Sequence, residues 1–243
     1  PGRDYVREMT EVGTAFVNAS AANGEVPTSR SMIFVTPDGE RSMNTYLGIS
    51  TELGPEDVDD AVAGQAGLLF LEGYLFDKDK GKEAFLAAAR ACRAGGGKAG
   101  IALSDPFCVT RHRADFRRLV TELDFVIGNE HEWKELYETE DLGAALEQAA
   151  TDSGLVVCTR SGHDVVLVEG DETVSVPVDA VTPVDATGAG DQFAAGFLYG
   201  LATEQSLAVS GRMGCIAAAE VIGHYGARPE ADVRALFAAE GLI

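Results

Sequence analysis

Four short apolar runs, each followed by a stretch with helical spacing, constrain this chain more than any other feature. They are GLLFLEG (Gly67 to Gly73), KAGIALSD (Lys98 to Asp105), FVIGNE (Phe125 to Glu130) and LVVCT (Leu155 to Thr159). A strand that is apolar without alternation is buried on both faces, and strands separated by helices pair in parallel. The pattern therefore predicts an α/β fold: a doubly wound, mostly parallel sheet with helices on both faces. The helical stretches are Lys82 to Ala94, which stops at three glycines, then His112 to Glu122, Glu130 to Tyr137 and Leu142 to Ala150. DVVLVEG (Asp164 to Gly170) and TVSVPV (Thr173 to Val178) read as an antiparallel hairpin at the sheet edge. After Asp191 the chain is helical, in Gln192 to Leu201, Ser206 to Ile222 and Ala231 to Ala239. Upstream, Asp4 to Glu11 looks helical, and Ser31 to Thr36 and Arg41 to Leu47 form a hairpin around Pro37-Asp38-Gly39. No repeat or linker divides the chain, so residues 1–243 are expected to form one domain, with small lid strands within about 31–47.

Composition narrows the partners. A formal net charge of -20 over 243 residues disfavours nucleic acid and anionic membrane as partners, because both need basic patches. No apolar run reaches the ~18 residues of a membrane span. Cys92, Cys108, Cys158 and Cys215 show neither C-x-x-C nor Cys/His metal spacing and read as reduced thiols. The expected location is cytoplasmic.

The junction VDATGAGDQFAAGF (Val184 to Phe197) joins a strand-like run to a helix through a glycine turn. Gly188, Ala189 and Gly190 carry little side chain, so a ligand can approach backbone N–H groups left open at the helix start, an arrangement suited to phosphate oxygens. Asp191 lies among those groups, where the helix dipole favours its anion and leaves it able to accept a proton. On residue types alone, an aspartate in a first turn is more readily read as helix capping. The dinucleotide fingerprint would need glycine where Phe193 stands, and no G-x-x-x-x-G-K-[ST], H-E-x-x-H or G-x-S-x-G occurs.

DATGAGD followed by QFAAGF resembles the C-terminal signature of the ribokinase (PfkB) family of carbohydrate and nucleoside kinases, with Ala186 where that family usually has Thr or Ser. GNEHE (Gly128 to Glu132), CTRSGHDVVLV (Cys158 to Val168) and GARP (Gly226 to Pro229) resemble further family elements in the same order. RSMNTYLG, LEGYLFD and LSDPFCVTRHR look most like bacterial adenosine-kinase-like sugar kinases. The resemblance implies a ribokinase-like fold and ATP-dependent phosphorylation of a sugar or nucleoside hydroxyl. It implies Asp191 as catalytic base, with Gly188, Ala189 and Gly190 as the anion hole. Asn129 and Glu132 would organise Mg²⁺ and its waters around ATP, their other reading being a helix N-cap with a first-turn acid. Thr159, Arg160, Gly162 and Gly226 would border the nucleotide. Asp185 and Thr187 stand where many relatives hold a monovalent cation, K⁺. The alternative reading is a sugar or nucleotide sensor that kept the pocket without the chemistry.

Arg111, His112 and Arg113 are readable either as phosphate contacts or as a solvated helix start, whereas His163 and His224 are expected in surface loops. Trp133 and Phe193 are expected in the core. Family members usually begin with a strand carrying a substrate-binding Asp and then a G-G-x-x-x-N segment; neither is seen after Pro1-Gly2-Arg3, so an N-terminally incomplete chain is expected. Without those residues the sequence names neither the acceptor nor the choice between monomer and homodimer.

Overall fold

The computed structural model describes residues 2–20 and 24–243, so Pro1 lies outside the described residues. Helix α1 (Gly2–Glu11) precedes a hairpin of β1 (Arg30–Val35) and β2 (Arg41–Tyr46). There follow α2 (Asp60–Ala63), β3 (Leu68–Glu72), α3 (Asp79–Ala94), β4 (Lys98–Ala102), α4 (Pro106–Arg111), α5 (Arg113–Val120) and β5 (Phe125–Asn129). The chain continues through α6 (Glu130–Tyr137), α7 (Leu142–Asp152), β6 (Leu155–Arg160), β7 (His163–Glu169) and β8 (Glu172–Val176). It ends in α8 (Ala189–Ala202), α9 (Leu207–Val221) and α10 (Val233–Ala239).

Strands β3 to β8 form one six-stranded sheet in sequence order. The pairs from β3 to β6 are parallel, and β7 and β8 add antiparallel at one edge. Burial on both faces is visible residue by residue. Val126, Val156 and Cys158 pack with Phe116, Leu119, Trp133 and Ala145 on one side. Their neighbours Phe125, Ile127, Leu155 and Val157 pack with Phe193 and Phe197 on the other. Trp133 and Phe193 are thus core residues, and the Trp133 indole N–H donates to Val157 O at 3.1 Å. All four cysteines are buried and unpaired.

Part of the acidity is used locally. Asp59, Asp105, Asp141 and Asp232 each precede a helix and accept from two of its first amides, which would otherwise lack partners. The Asp105 cap explains a departure from the expected elements. With Pro106 in the first turn it starts α4, and His112 (φ -122°, ψ 26°) breaks the chain between α4 and α5 instead of opening a helix.

The β1–β2 hairpin is antiparallel and mostly solvent-exposed, with Met32 65% and Phe34 59% accessible. Its turn is what meets the rest of the molecule: the Ala186 amide donates to Gly39 O at 3.0 Å. Gly39 is buried at φ +82°, and a Cβ there would lie 2.9 Å from Pro183 O. Gly39→Ala should therefore cost roughly 1–3 kcal/mol, from left-handed strain plus the Pro183 contact, and lower the Tm by several degrees. Gly170→Ala, at φ +58° with nothing within 4 Å, isolates the strain alone and should cost less. Equal Tm losses in the two variants would remove the docking contact from the account.

Candidate active site

The turn from Val184 to Asp191 is held by one carboxylate. Asp185 is 4% exposed; its Oδ1 accepts the Thr187 amide (2.9 Å) and hydroxyl (2.5 Å), and its Oδ2 accepts the Gly226 amide at 3.0 Å. Burial pushes this carboxyl up, but the hydrogen bonds from Thr187 and Gly226, with help from the Arg41 charge, leave it below its ordinary value. Val184 and Asp185 also donate to Ile222 O, so the turn is tied twice to the loop after α9. Gly188 caps α8 at φ +83°, and a Cβ there would meet Ala227 Cβ at 2.8 Å; the Gly190 Cβ direction is empty to 4 Å. One glycine thus serves the turn and the other keeps an approach to the backbone open.

Among the described residues the amides of Gly188, Gly190 and Asp191 donate to no protein acceptor, whereas Ala189 N–H donates to Ala186 O at 3.3 Å. The open donors lie at 188, 190 and 191, and Ala189 takes part in closing the turn. Asp191 falls in the first turn of α8 and is exposed. The dipole argument expected a depressed pKa; instead the surrounding protein desolvates the carboxyl and raises it, with Arg41 of β2 pulling the other way.

More acids gather at the carboxyl ends of the strands. Asn129 and Glu132 form a reciprocal capping box on α6: Asn129 Oδ1 accepts the amides of His131 and Glu132, and the Asn129 amide and Nδ2 donate to the two Glu132 oxygens, both at 2.8 Å. The capping reading of this pair is therefore realised. Glu132 is 4% exposed, and burial, with Asp105 and Glu72 nearby, raises its pKa to about 7. At the end of β3 the Glu72 carboxylate accepts the Ser104 hydroxyl and, at 3.3 Å, the Tyr74 amide. Ser104 sits at φ +71°, uncommon for a residue with a Cβ. Burial raises Glu72, and the charge of Asp191 adds to the effect. Sequence reasoning left Glu72 and Arg41 unassigned; an acid closing a parallel strand and an arginine opening β2 were the available signals.

The nucleotide-border residues occupy the neighbouring strand end. Thr159 pairs with Asn129 across β5 and β6, Arg160 is half-buried with a buried Nε that lacks a hydrogen bond, and Gly162 lies in the β6–β7 turn with open space beside it. Gly226 (φ +99°) is reached through its bond to Asp185. Each oxygen of Glu72 and Glu132 takes one hydrogen bond and keeps a lone pair, and Asp105 Oδ2 takes none, so these carboxylates could accept from the waters of a divalent cation; among the described residues no group of three or more His, Cys, Asp or Glu could hold a metal directly. The oxygens of Asp185 and Thr187 are engaged within the turn, and these side chains give the K⁺ expectation no support. A cavity of about 270 Å³ adjoins the acids, between Leu47, Tyr74, Asp77, Asp105, Phe107 and Arg111. A larger one of about 500 Å³, around Asn18 and residues 56–61, shares no lining residue with them.

Residues 10–234 match the pfkB family of carbohydrate kinases. The chain belongs to that family. A probable sugar kinase from Rhizobium etli CFN 42 superposes with TM-score 0.95 at 41% identity, over 100% of this chain and 74% of that one. An adenosine kinase from Sinorhizobium meliloti gives 0.95 at 43% identity, over 98% and 74%. An uncharacterized sugar kinase of Archaeoglobus fulgidus is 27% identical over 228 residues, 93% of this chain and 86% of the relative. The six-stranded mixed sheet with its helices is the ribokinase-like fold of these pfkB proteins. Among the described residues no helix is long and apolar enough to cross a membrane.

His224, expected in a surface loop, is half-buried inside the loop that ties down Asp185. Its Nδ1 lies 3.3 Å from Tyr225 O and 3.8 Å from Glu230 Oε1, and its Nε2 lies 3.4 Å from Glu220 Oε1 without hydrogen-bond alignment. The Tyr225 carbonyl and then the two carboxylates raise its pKa above the ordinary 6.5. The stabilisation is then complete below the unfolded value and is lost as pH rises through the higher folded one. NMR titration should find His224 above 6.5, falling in Glu220→Gln. A His224 pKa at or below 6.5 in the unaltered protein would contradict the geometry.

Proposed function

We propose that this protein transfers the γ-phosphoryl group of ATP to a hydroxyl of a sugar or nucleoside, with Asp191 as general base. The observation that carries the reading is the pairing, in the first turn of α8, of the Asp191 carboxylate with backbone amides that have no acceptor, in a chain of a carbohydrate kinase family.

Asp191 takes the proton from the attacking hydroxyl as its oxygen bonds to the γ-phosphorus and the bond to the departing ADP oxygen breaks; desolvation raises the Asp191 pKa and so favours proton uptake, with Arg41 opposing the rise. The amides of Gly188, Gly190 and Asp191 hold the charge of the transferred group in place, as fixed donors that need no reorganisation. Arg41, close enough to influence both Asp185 and Asp191, would meet the phosphates from the lid side. Glu132 and Asn129 would hold the waters of a Mg²⁺ ion that screens the triphosphate charge when bound. Thr159, Arg160, Gly162 and Gly226 would border the nucleotide, and the hairpin within 31–47 would act as the lid of a single domain that excludes water. Phe107, 75% exposed on the cavity beside the acids, favours an acceptor with a flat apolar face, hence a nucleoside over a bare sugar.

Two measurements test the reading in the full protein. With Mg-ATP and a panel of sugars and nucleosides, Asp191→Asn should lose at least ~100-fold in kcat, the scale of a general base; undiminished turnover would exclude Asp191. Because Arg41 lowers the Asp191 pKa, Arg41→Met should move the acid limb of the kcat/KM profile to higher pH, and an unmoved limb would detach the lid arginine from the base.

A further inference from the structure

His224 stands between two anchors of the loop that follows α9. Before it, Ile222 O accepts the amides of Val184 (2.8 Å) and Asp185 (3.4 Å); after it, the Gly226 amide donates to Asp185 Oδ2 at 3.0 Å. One residue further, Ala227 lies against Gly188, where an added Cβ would meet it at 2.8 Å, and its carbonyl accepts Gln192 Nε2 of α8 at 3.4 Å. Glu220, near the end of α9, closes the loop from the other side. Its Oε1 accepts the amides of Glu230 (2.9 Å) and Ala231 (2.8 Å), while its Oε2 is buried without a partner. His224 Nε2, also buried without a hydrogen bond, lies 3.4 Å from Glu220 Oε1. On the opposite side of the ring, Nδ1 lies 3.3 Å from Tyr225 O and 3.8 Å from Glu230 Oε1.

Both ring nitrogens therefore face acceptors. A neutral imidazole has one N–H and one lone pair, so either tautomer turns a lone pair onto oxygen: toward Glu220 if Nδ1 holds the hydrogen, toward Tyr225 O and Glu230 if Nε2 holds it. With a hydrogen on each nitrogen, Nδ1–H serves Tyr225 O, and a small rotation brings Nε2–H onto the buried Glu220 carboxylate, whose second oxygen otherwise has no donor. Among the described residues, Glu220 of α9 and Glu230 ahead of α10 are the charged side chains facing the ring, and the loop's own cation, Arg228, is engaged by Glu8 of α1. We propose that His224 is a positioning residue for the turn before α8: as an imidazolium it clamps the loop after α9, and loss of its proton loosens that loop and, through Gly226, the Asp185 turn. The inference rests on the kinase reading only for its consequence in nucleotide binding; the clamp itself is a property of the loop. The Tyr225 carbonyl and then the two carboxylates raise the His224 pKa, so the clamp is complete below the ordinary 6.5 of an unfolded chain and is lost as pH rises through the higher folded value.

NMR titration of the full protein without nucleotide reads the clamp apart from catalysis. The amides of Thr187 and Gly226, both bound to Asp185, should shift with pH at the midpoint of the His224 ring. In Glu220→Gln the carboxamide oxygen still accepts the Glu230 and Ala231 amides, so the loop keeps its closure while the ring and amide midpoints fall together. In His224→Gln the amide titration should vanish. With Mg-ATP and an acceptor, KM for ATP should rise at least ~5-fold as pH passes the same midpoint, the lower end of the usual coupling between two sites. His224→Gln should show the higher KM on both sides of it. A thermal melt confirms that each variant folds; were His224→Gln unfolded, the joint movement in Glu220→Gln would decide alone. Thr187 and Gly226 amides that do not follow the ring, or that titrate unchanged in His224→Gln, would overturn the inference. A KM for ATP indifferent to the ring's protonation, in a protein that transfers the phosphoryl group, would overturn it as well. An intact clamp titration with no ADP formed on any acceptor would count against the kinase reading and leave the clamp standing.

Discussion

The site depends on a buried carboxylate in a place where an unpartnered one would be costly. Asp185 is shielded from water, and each of its oxygens accepts a hydrogen bond from a different segment: the turn into α8 on one side, the loop after α9 on the other. Those bonds give the turn one conformation. With it fixed, Gly188 can seat against Ala227, α8 can begin at Ala189, and the amides of Gly190 and Asp191 have no acceptor among the described residues. The chain stores donors for an anion at the helix start because Asp185 has already satisfied the backbone around it.

A chain of net charge -20 gathers further acids at one end of its sheet. Glu72, Asp105, Glu132 and Asp191 all sit at or beyond the carboxyl ends of the strands, and burial and mutual repulsion raise the pKa of Glu72 and Glu132. The compensating groups beside Asp191 are local: Arg41 on β2 and the backbone amides at the start of α8. In the proposed reaction the nucleotide would be held by short-range geometry, which long-range steering by this surface would oppose.

Much of this was legible in the sequence because the signals were periodic or steric. The apolar runs that became β3 to β6 kept both faces hydrophobic, and the structure buries alternate residues of β5 and β6 in two separate cores. The turn from Asp185 to Asp191 was readable because two glycines and two aspartates at fixed spacing have few conformations available. What escaped was tertiary. Asp105-Pro106 is a plain helix start, yet α4 was hidden behind the basic residues that follow it. Glu72 and Arg41 gained significance only when strand ends far apart in sequence met around Asp191. The Asp191 pKa moves up because nearby protein partly desolvates a carboxyl that still reaches solvent, an effect a local dipole argument omits.

The bond from the Ala186 amide to Gly39 O runs between the turn that opens α8 and the β1–β2 hairpin. A hairpin that swings away must break this contact, and a hairpin with a different turn would have nothing to offer that amide. Changes to the hairpin turn and to the turn before α8 are therefore coupled through this bond. A chimaera that grafts a cousin's lid onto this scaffold would inherit a mismatch at its hinge point, whatever acceptor residues came with it.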